Sequence, residues 1–393
     1  MQKKFLGLIL ILIIAANLSS ITIHSTASGG NWTDPNSWIE HVVPDSTMDV
    51  EIGSTINVNG NRYCKSITVL PAGTLQTNGS SYTLSVTGNF INQGITCNGS
   101  SYFFISLMGN LTHLSGTFSP YRLTLIGSGN QVITQAEALT FNCYFLSSKS
   151  TGNILLGSSC MFSDKSFGLG ATSLQLSGYK ISNVGLSGGS IVGGGDSIID
   201  NVSLSSVTVN DSIQVNGVVN TVDGAVVFNG LTTVNGTLQN SGANGSHTVV
   251  MNGDLINYGT VTSNHYNLYI SLRGDLWFYD GTFTPNKITF SGVENQTISQ
   301  GDSVVFNCIF ENSNPSGSLV LGTNLLFNGN TFFLNQHNLR LEGNTLKNAV
   351  LTNGFIYGGG NSSIYNATLS TITFYDSIQV NGVVNTVDGA VVF

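Results

Sequence analysis

The sequence predicts an all-β repeat fold, a parallel β-solenoid, on three observations. The stretch DSIQVNGVVNTVDGAVVF occurs twice, at Asp211–Phe228 and Asp376–Phe393, so position 211 corresponds to position 376. A shorter period of about 21 residues runs inside the long one, where Gly-Asn or Gly-Asp pairs begin at Gly88 and Gly109, then at Gly253 and Gly274. Charged residues make up only 8% of the chain while 47 of 393 are glycine, so helix formers are scarce and turn formers plentiful. At 41% hydrophobic residues the chain can still bury a core, so low charge does not mean disorder.

The chain opens with MQKKFLGLILILIIAA, two lysines ahead of a short apolar run. Residues 1–27 read as a secretory signal, the run being shorter than the roughly 20 residues of a membrane span. No later stretch could cross a bilayer. Residues 28–55 follow as an N-terminal cap. Here Trp32 and Trp38 sit six apart, Pro44 marks a turn, and Val50, Ile52, Ile56 and Val58 alternate as in strands. A solenoid's open end invites strand addition, and two tryptophans with a proline turn suit a cover for it; the competing reading is a tryptophan-lined carbohydrate site.

This G-x-W…W…VP…D-x-V-x-I arrangement resembles the N-terminal segment of many secreted Bacteroidetes surface proteins and is similar to the start of the G8 domain. The following Cys64–Gly79 continues the likeness. The resemblance covers the N-terminal part of the chain. It implies a right-handed β-solenoid and export by the Sec route, often with a type IX sorting domain.

From residue 56 the long repeat takes over, as residues 56–212, 213–377 and the start of a third copy at 378–393. The two copies match at GTFSP and GTFTP (Gly116, Gly281), NQVITQ and NQTISQ (Asn130, Asn295), and GGGDSIIDN and GGGNSSIYN (Gly193, Gly358). Alternation within each short unit, as at Leu84 and Val86, predicts strands with one buried face. At about 21 residues a rung, each copy of about 160 residues holds roughly eight rungs. Tandem β-sandwiches are the structural alternative, and they would need antiparallel pairing and hairpin turns.

The duplication tests candidate chemistry. Asp196 aligns with Asn361, Asp200 with Tyr365, Asp164 with Gly329, His113 with Phe278, and His265 with Ser100. Acid–base chemistry repeated in each copy is therefore disfavoured. Asp196 and Asp200 remain the nearest acidic pair for a single site, although turn roles suit them better. GGGDSIID is similar to a glycine-rich calcium nonapeptide, but that motif works in tandem and here its counterpart lacks both acids. Asp45, Asp49 and Glu51 form the densest acidic group, read as solvated or turn residues before a cation site. The cysteines Cys64, Cys97, Cys143, Cys160 and Cys308 are odd in number and lack metal-ligand spacing. Cys143 and Cys308 occupy equivalent positions and read as small buried hydrophobes. No catalytic, cofactor-binding or metal residue is assigned, and no cofactor.

Twelve basic against twenty acidic residues give a net charge of −8, and there is no Lys/Arg cluster, so the electrostatic footprint of a nucleic-acid partner is missing. The expected function is that of a secreted or cell-surface structural or adhesive repeat protein, with glycans or cell-surface and matrix proteins as partners. The alternative is a β-helix carbohydrate-active enzyme, a polysaccharide lyase or glycoside hydrolase, with carboxylates converging from different rungs.

Overall fold

The computed structural model describes residues 21–242, 245–264 and 266–393. The signal reading of residues 1–27 falls mostly on residues outside these. The chain is a nearly all-β parallel solenoid of about 17 turns, consistent with the right-handed form. Its strand ladders are parallel throughout, which excludes tandem sandwiches. Among the described residues the only helical turn is the 3₁₀ turn Pro35–Ser37.

Each turn runs through three faces. Ile95–Gly99 lies on the first face, Phe103–Leu107 on the second and Leu111–His113 on the third. The next turn repeats the order with Thr117–Ser119, Arg122–Leu125 and Gln131–Gln135, each paired with its predecessor. The corners between faces are called first (first to second face), second (second to third) and third (third back to first). Alternation explains the strands: in Phe103–Leu107, Phe103, Ile105 and Leu107 point inward and are buried. Stacking is what covers them, because a single rung encloses no core.

At the N-terminal end, Thr22–His24 pairs with Asp49–Ile52 on the third face and Gly30–Asn31 pairs with Thr55–Val58 on the first. Trp32 and Trp38 lie between these strands, both fully buried and edge to face at 5.2 Å, with Trp38 Nε1 donating to the Trp32 carbonyl. Buried rings of this kind cover the rung beneath them and leave no surface for a sugar.

Register shows what the duplication does in space. Ser106 on the second face is stacked, rung by rung, over Thr124, Leu146, Gly168, Ser187 and Ser205, and the same ladder continues to the strand Thr260–Ser263. Its repeat partner Ser271 lies on the third face, paired with Val250. One copy, from Ser106 to Ser271, therefore spans eight turns and one third, and the second copy is rotated by a third of a turn against the first. The identical stretches show it directly. Ile213–Asn216 lies on the first face, while its twin segment containing Gln379–Asn381 lies on the second.

The interior is nevertheless duplicated. Phe118, Phe141 and Phe162 stack along the first face at 5.7 and 5.5 Å, and Phe283, Phe306 and Phe327 stack along the second at 5.7 and 5.6 Å. Buried Gln131 donates its amide to the carbonyls of Leu107 and Gly109, and Gln296 does the same for Leu272 and Gly274. Left-handed backbone recurs at matching positions of the two copies, at Asn183 and Asn348, Ser206 and Thr371, and Asp211 and Asp376. The three faces are thus near-equivalent as hosts, since one sequence is accepted on more than one of them.

Candidate functional site

The singled-out acids do not converge. Asp200 faces Lys180 at 3.3 Å, and Asp196 stands in the turn ahead of the Ile198–Ser205 strand. Asp45 closes its own turn by accepting from the Thr47 amide and hydroxyl, which hold its carboxyl below the usual range. Asp49 accepts from the Ser66 amide, and Glu51 lies 3.5 Å from His24. Among the described residues no three His, Cys, Asp or Glu side chains are grouped as metal ligands. Asp254 and Asp275 are stacked on successive rungs, but each accepts the backbone amide of the next rung, from Asp275 and Thr297 respectively. In the first copy Asn89 and Asn110 make the same bonds to Asn110 and Val132. An amide serves there as well as a carboxylate, so the role is structural.

The cysteines are structural too. Cys64, Cys143, Cys160 and Cys308 are buried, and burial pushes their thiols up, that of Cys160 to about 12. A thiol so raised is neither a nucleophile nor a ligand near neutral pH.

The most developed surface feature lies along the first corner of the first copy. Tyr102 ends the turn before Phe103–Leu107, Tyr121 precedes Arg122–Leu125, and Tyr144 begins Tyr144–Ser147. Phe104 pairs with Arg122 and Arg122 with Tyr144, so the register staggers the three tyrosines by one position a rung, and their rings meet in series across that stagger as an offset ladder. Ring centres lie 4.3 Å apart for Tyr102 and Tyr121 and 5.5 Å for Tyr121 and Tyr144. Tyr102 is 56% and Tyr144 38% exposed. Lys165 begins the second-face run of the following rung and sets its ammonium 5.4 Å from the Tyr144 ring centre. Arg122 covers Phe104 at 5.0 Å, and Phe104 packs edge-on against Tyr121. Gly99 makes the turn before Tyr102 feasible: its φ is +65°, and a Cβ there would meet the Thr77 carbonyl oxygen at 2.2 Å.

Two depressions flank this ladder. One of about 500 Å³ is lined by Tyr121, Tyr144, Lys165, Asn98, Asn142 and Ser119, with Cys97 and Cys143 beside them. The other, of about 330 Å³, shares Tyr121 and Tyr144 and adds Arg122, Ser166 and Ser187. Flat rings, amides, hydroxyls and two cations, Lys165 and Arg122, that form no carboxylate ion pair among the described residues converge here. Such a surface can stack on a flat apolar face and hydrogen-bond the rim around it.

Sequence reasoning missed this ladder. Its signal was present: Tyr102, Tyr121, Tyr144 and Lys165 recur at the rung period. The repeat comparison hid it, because their partners in the second copy are Asn267, Asn286, Ile309 and Asn330.

Against known proteins, the chain matches no family model, no curated protein and no solved structure. No helix of the described residues is long and apolar enough to cross a membrane.

Proposed function

We propose that this chain is a secreted or cell-surface adhesive solenoid that holds glycans at the tyrosine cleft of its first copy. The observation that carries the reading is the pair of half-buried Tyr121 and exposed Tyr144, flanked by Asn98, Asn142 and Lys165. A pyranose presents C–H bonds on one face and hydroxyls around its edge. Tyrosine faces take the first, and amides and an ammonium take the second. The stacked backbone provides rigidity, so little ordering is needed on binding. An acidic chain with no basic stripe supports a neutral rather than a nucleic-acid partner. Export is supported by the lysine-led apolar run at residues 3–16.

The test is a glycan array with the chain lacking residues 1–20, repeated with Tyr121→Ala/Tyr144→Ala. Binding that this pair of substitutions removes, with the circular dichroism spectrum unchanged, is the expected result. Absence of binding to every glycan, or binding indifferent to both tyrosines, overturns the reading.

A further inference from the structure

We propose that the second copy carries its own binding platform for an amine-bearing saccharide, built on the first face from Ile256, Trp277, Tyr258 and Tyr279 and independent of the tyrosine cleft. Leu255–Asn257 and Leu276–Phe278 are neighbouring strands of that face, and Ile256 pairs with Trp277 in register. Alternation turns Leu255, Asn257, Leu276 and Phe278 into the core, where all four are buried. Ile256 and Trp277 therefore point outward, and both are half-buried. At the next outward position of each strand run come Tyr258 and Tyr279, exposed and stacked at 5.4 Å and 23°. The result is a block of four large side chains on one rigid ladder, two strands wide and two outward positions long.

The fold does not require this block. In the first copy the same two rungs carry Ile91, Gln93, Thr112 and Leu114, on or beside the third face. Inward residues keep their character between the copies, Phe90 with Leu255, Asn92 with Asn257 and Leu111 with Leu276. The outward ones do not, since Gln93, Thr112 and Leu114 stand against Tyr258, Trp277 and Tyr279. Just ahead of the block, Asn89 and Asn110 stand against Asp254 and Asp275. All four of these side chains accept a backbone amide of the next rung. That bond is structural, and an asparagine makes it, so the two negative charges are surplus to it.

Size and charge give the ligand class. Strands lie about 4.8 Å apart and outward positions about 7 Å apart along a strand, so the block is on the scale of one or two sugar rings and far short of the about 800 Å² that a stable protein partner covers. Asp254 and Asp275 precede Ile256 and Trp277 by two positions, and Asp280 follows Tyr279. The nearby Arg273 donates its guanidinium to Asn252 at 3.0 Å. For a neutral sugar, amides would serve the hydroxyls as well as carboxylates do. Two stacked carboxylates repel each other and gain from a cation beside them. Burial, with Asp254 alongside, already pushes the Asp275 carboxyl above 3.8, and a cation would offset both effects. A saccharide with a free amine meets the whole arrangement. Its C–H face lies on the indole and phenol rings, and its ammonium takes the carboxylates.

The experiment is calorimetry of the chain lacking residues 1–20 with a glucosamine hexasaccharide, its fully N-acetylated form and hexalysine, at about pH 6, where aspartates are ionised. The amine-bearing hexasaccharide should bind, and the N-acetylated one should bind about tenfold or more weakly. Asp254→Asn/Asp275→Asn installs the first copy's residues and keeps the backbone bonds, and it should weaken amine binding about tenfold or more. Trp277→Thr, again the first copy's residue, should weaken it as far by removing the stacking surface. Melting curves check that each variant is folded. Amine binding unchanged in folded Trp277→Thr would overturn the platform. Equal binding of the N-acetylated form, undiminished by Asp254→Asn/Asp275→Asn, would overturn the amine class. Hexalysine binding as tightly as the hexasaccharide would show an anionic patch for peptides and overturn the sugar. Failure of the glucosamine hexasaccharide to bind would overturn the platform alone, since the tyrosine cleft lies on other residues and is judged by the glycan array.

Discussion

His113 and Phe278 occupy one position in the two copies, each ring set between two phenylalanines. His113 lies 5.9 and 5.5 Å from Phe118 and Phe141, and Phe278 lies 5.6 and 5.3 Å from Phe283 and Phe306. Both sit beside an equivalent buried amide. Asn92 donates to the carbonyls of Gly94, Ser115 and Thr117, and Asn257 to those of Gly259, Asp280 and Thr282. Asn92 also meets His113 Nδ1 at 3.1 Å, which makes that nitrogen the acceptor and leaves Nε2–H buried without a partner. The second copy shows that the amide is held without the histidine.

His113→Phe should therefore stabilise the protein. An unpartnered buried donor costs about 1–3 kcal/mol, and a ring of suitable shape replaces it. The pH dependence has a definite sign. Burial lowers the His113 pKa from the ordinary 6.5, so the unfolded chain binds the proton more readily. Stability is then lost as pH falls through 6.5 toward the lowered folded value. Thermal melts at pH 7.5 and pH 5 should show a smaller difference between the two pH values in His113→Phe than in wild type. An unchanged difference would refute the assignment.

Asp275 carries the opposite dependence. Burial raises its pKa above the ordinary aspartate value of 3.8, and the neighbouring Asp254 adds to the rise against the opposing Thr297 amide. The folded chain binds this proton more readily than the unfolded one. Stability therefore falls as pH rises from 3.8 through the raised folded value. Asp275→Asn installs the residue that stands at Asn110 in the first copy, where the side-chain oxygen accepts the same type of amide bond. The substitution should raise the melting temperature at pH 7 and leave it nearly unchanged at pH 3. A lower melting temperature at pH 7 would show that the negative charge is needed.

The phenylalanine clusters give a test of equivalence. Phe141 contacts Phe145 at 5.2 Å and Phe306 contacts Phe310 at 4.8 Å, inside matching sets on different faces. Phe141→Ala and Phe306→Ala should each cost about 3–5 kcal/mol, since each opens a cavity in a dry core. The two costs should agree closely if the faces are equivalent hosts. Denaturant titration measures both, and a difference of more than about 2 kcal/mol would mean that the faces pack differently.

Much of this architecture was legible in the sequence, and its phase was not. Alternation around Leu84 and Val86 specifies strands because inward residues must be apolar. The matched phenylalanines, from Phe118 and Phe283 to Phe162 and Phe327, mark a repeated core. The rotation between copies depends on summed rung lengths, and these vary. The steps from Ile181 to Ile199 and on to Val215 are short, while the step from Val234 to Asn257 is long. The short steps turn at single left-handed residues, Asn183 and Asn201, whose conformation is set by tertiary context. A uniform period of about 21 residues gives eight rungs a copy and misses the extra third.

Rotation without disruption predicts that the array can be lengthened. At the end of the first occurrence of the duplicated stretch Phe228 is 1% exposed beneath the rung that follows it, whereas Phe393, its twin, is 74% exposed. Appending residues 229–393 after Phe393 reproduces the junction that follows Phe228, because the eighteen preceding residues are identical. The added copy should stack as a continuous solenoid, turned by a further third, and lengthen the rod by eight and a third turns, about 40 Å at about 4.8 Å a turn. Small-angle scattering gives the length, and Phe393→Trp reports burial through a blue-shifted emission relative to the same substitution in the unextended chain. Proteolytic cleavage just after residue 393 with unshifted emission would mean that the new copy folds apart. In that case the three faces are not interchangeable, and the one-third rotation is tolerated only where Phe228 meets its own successor.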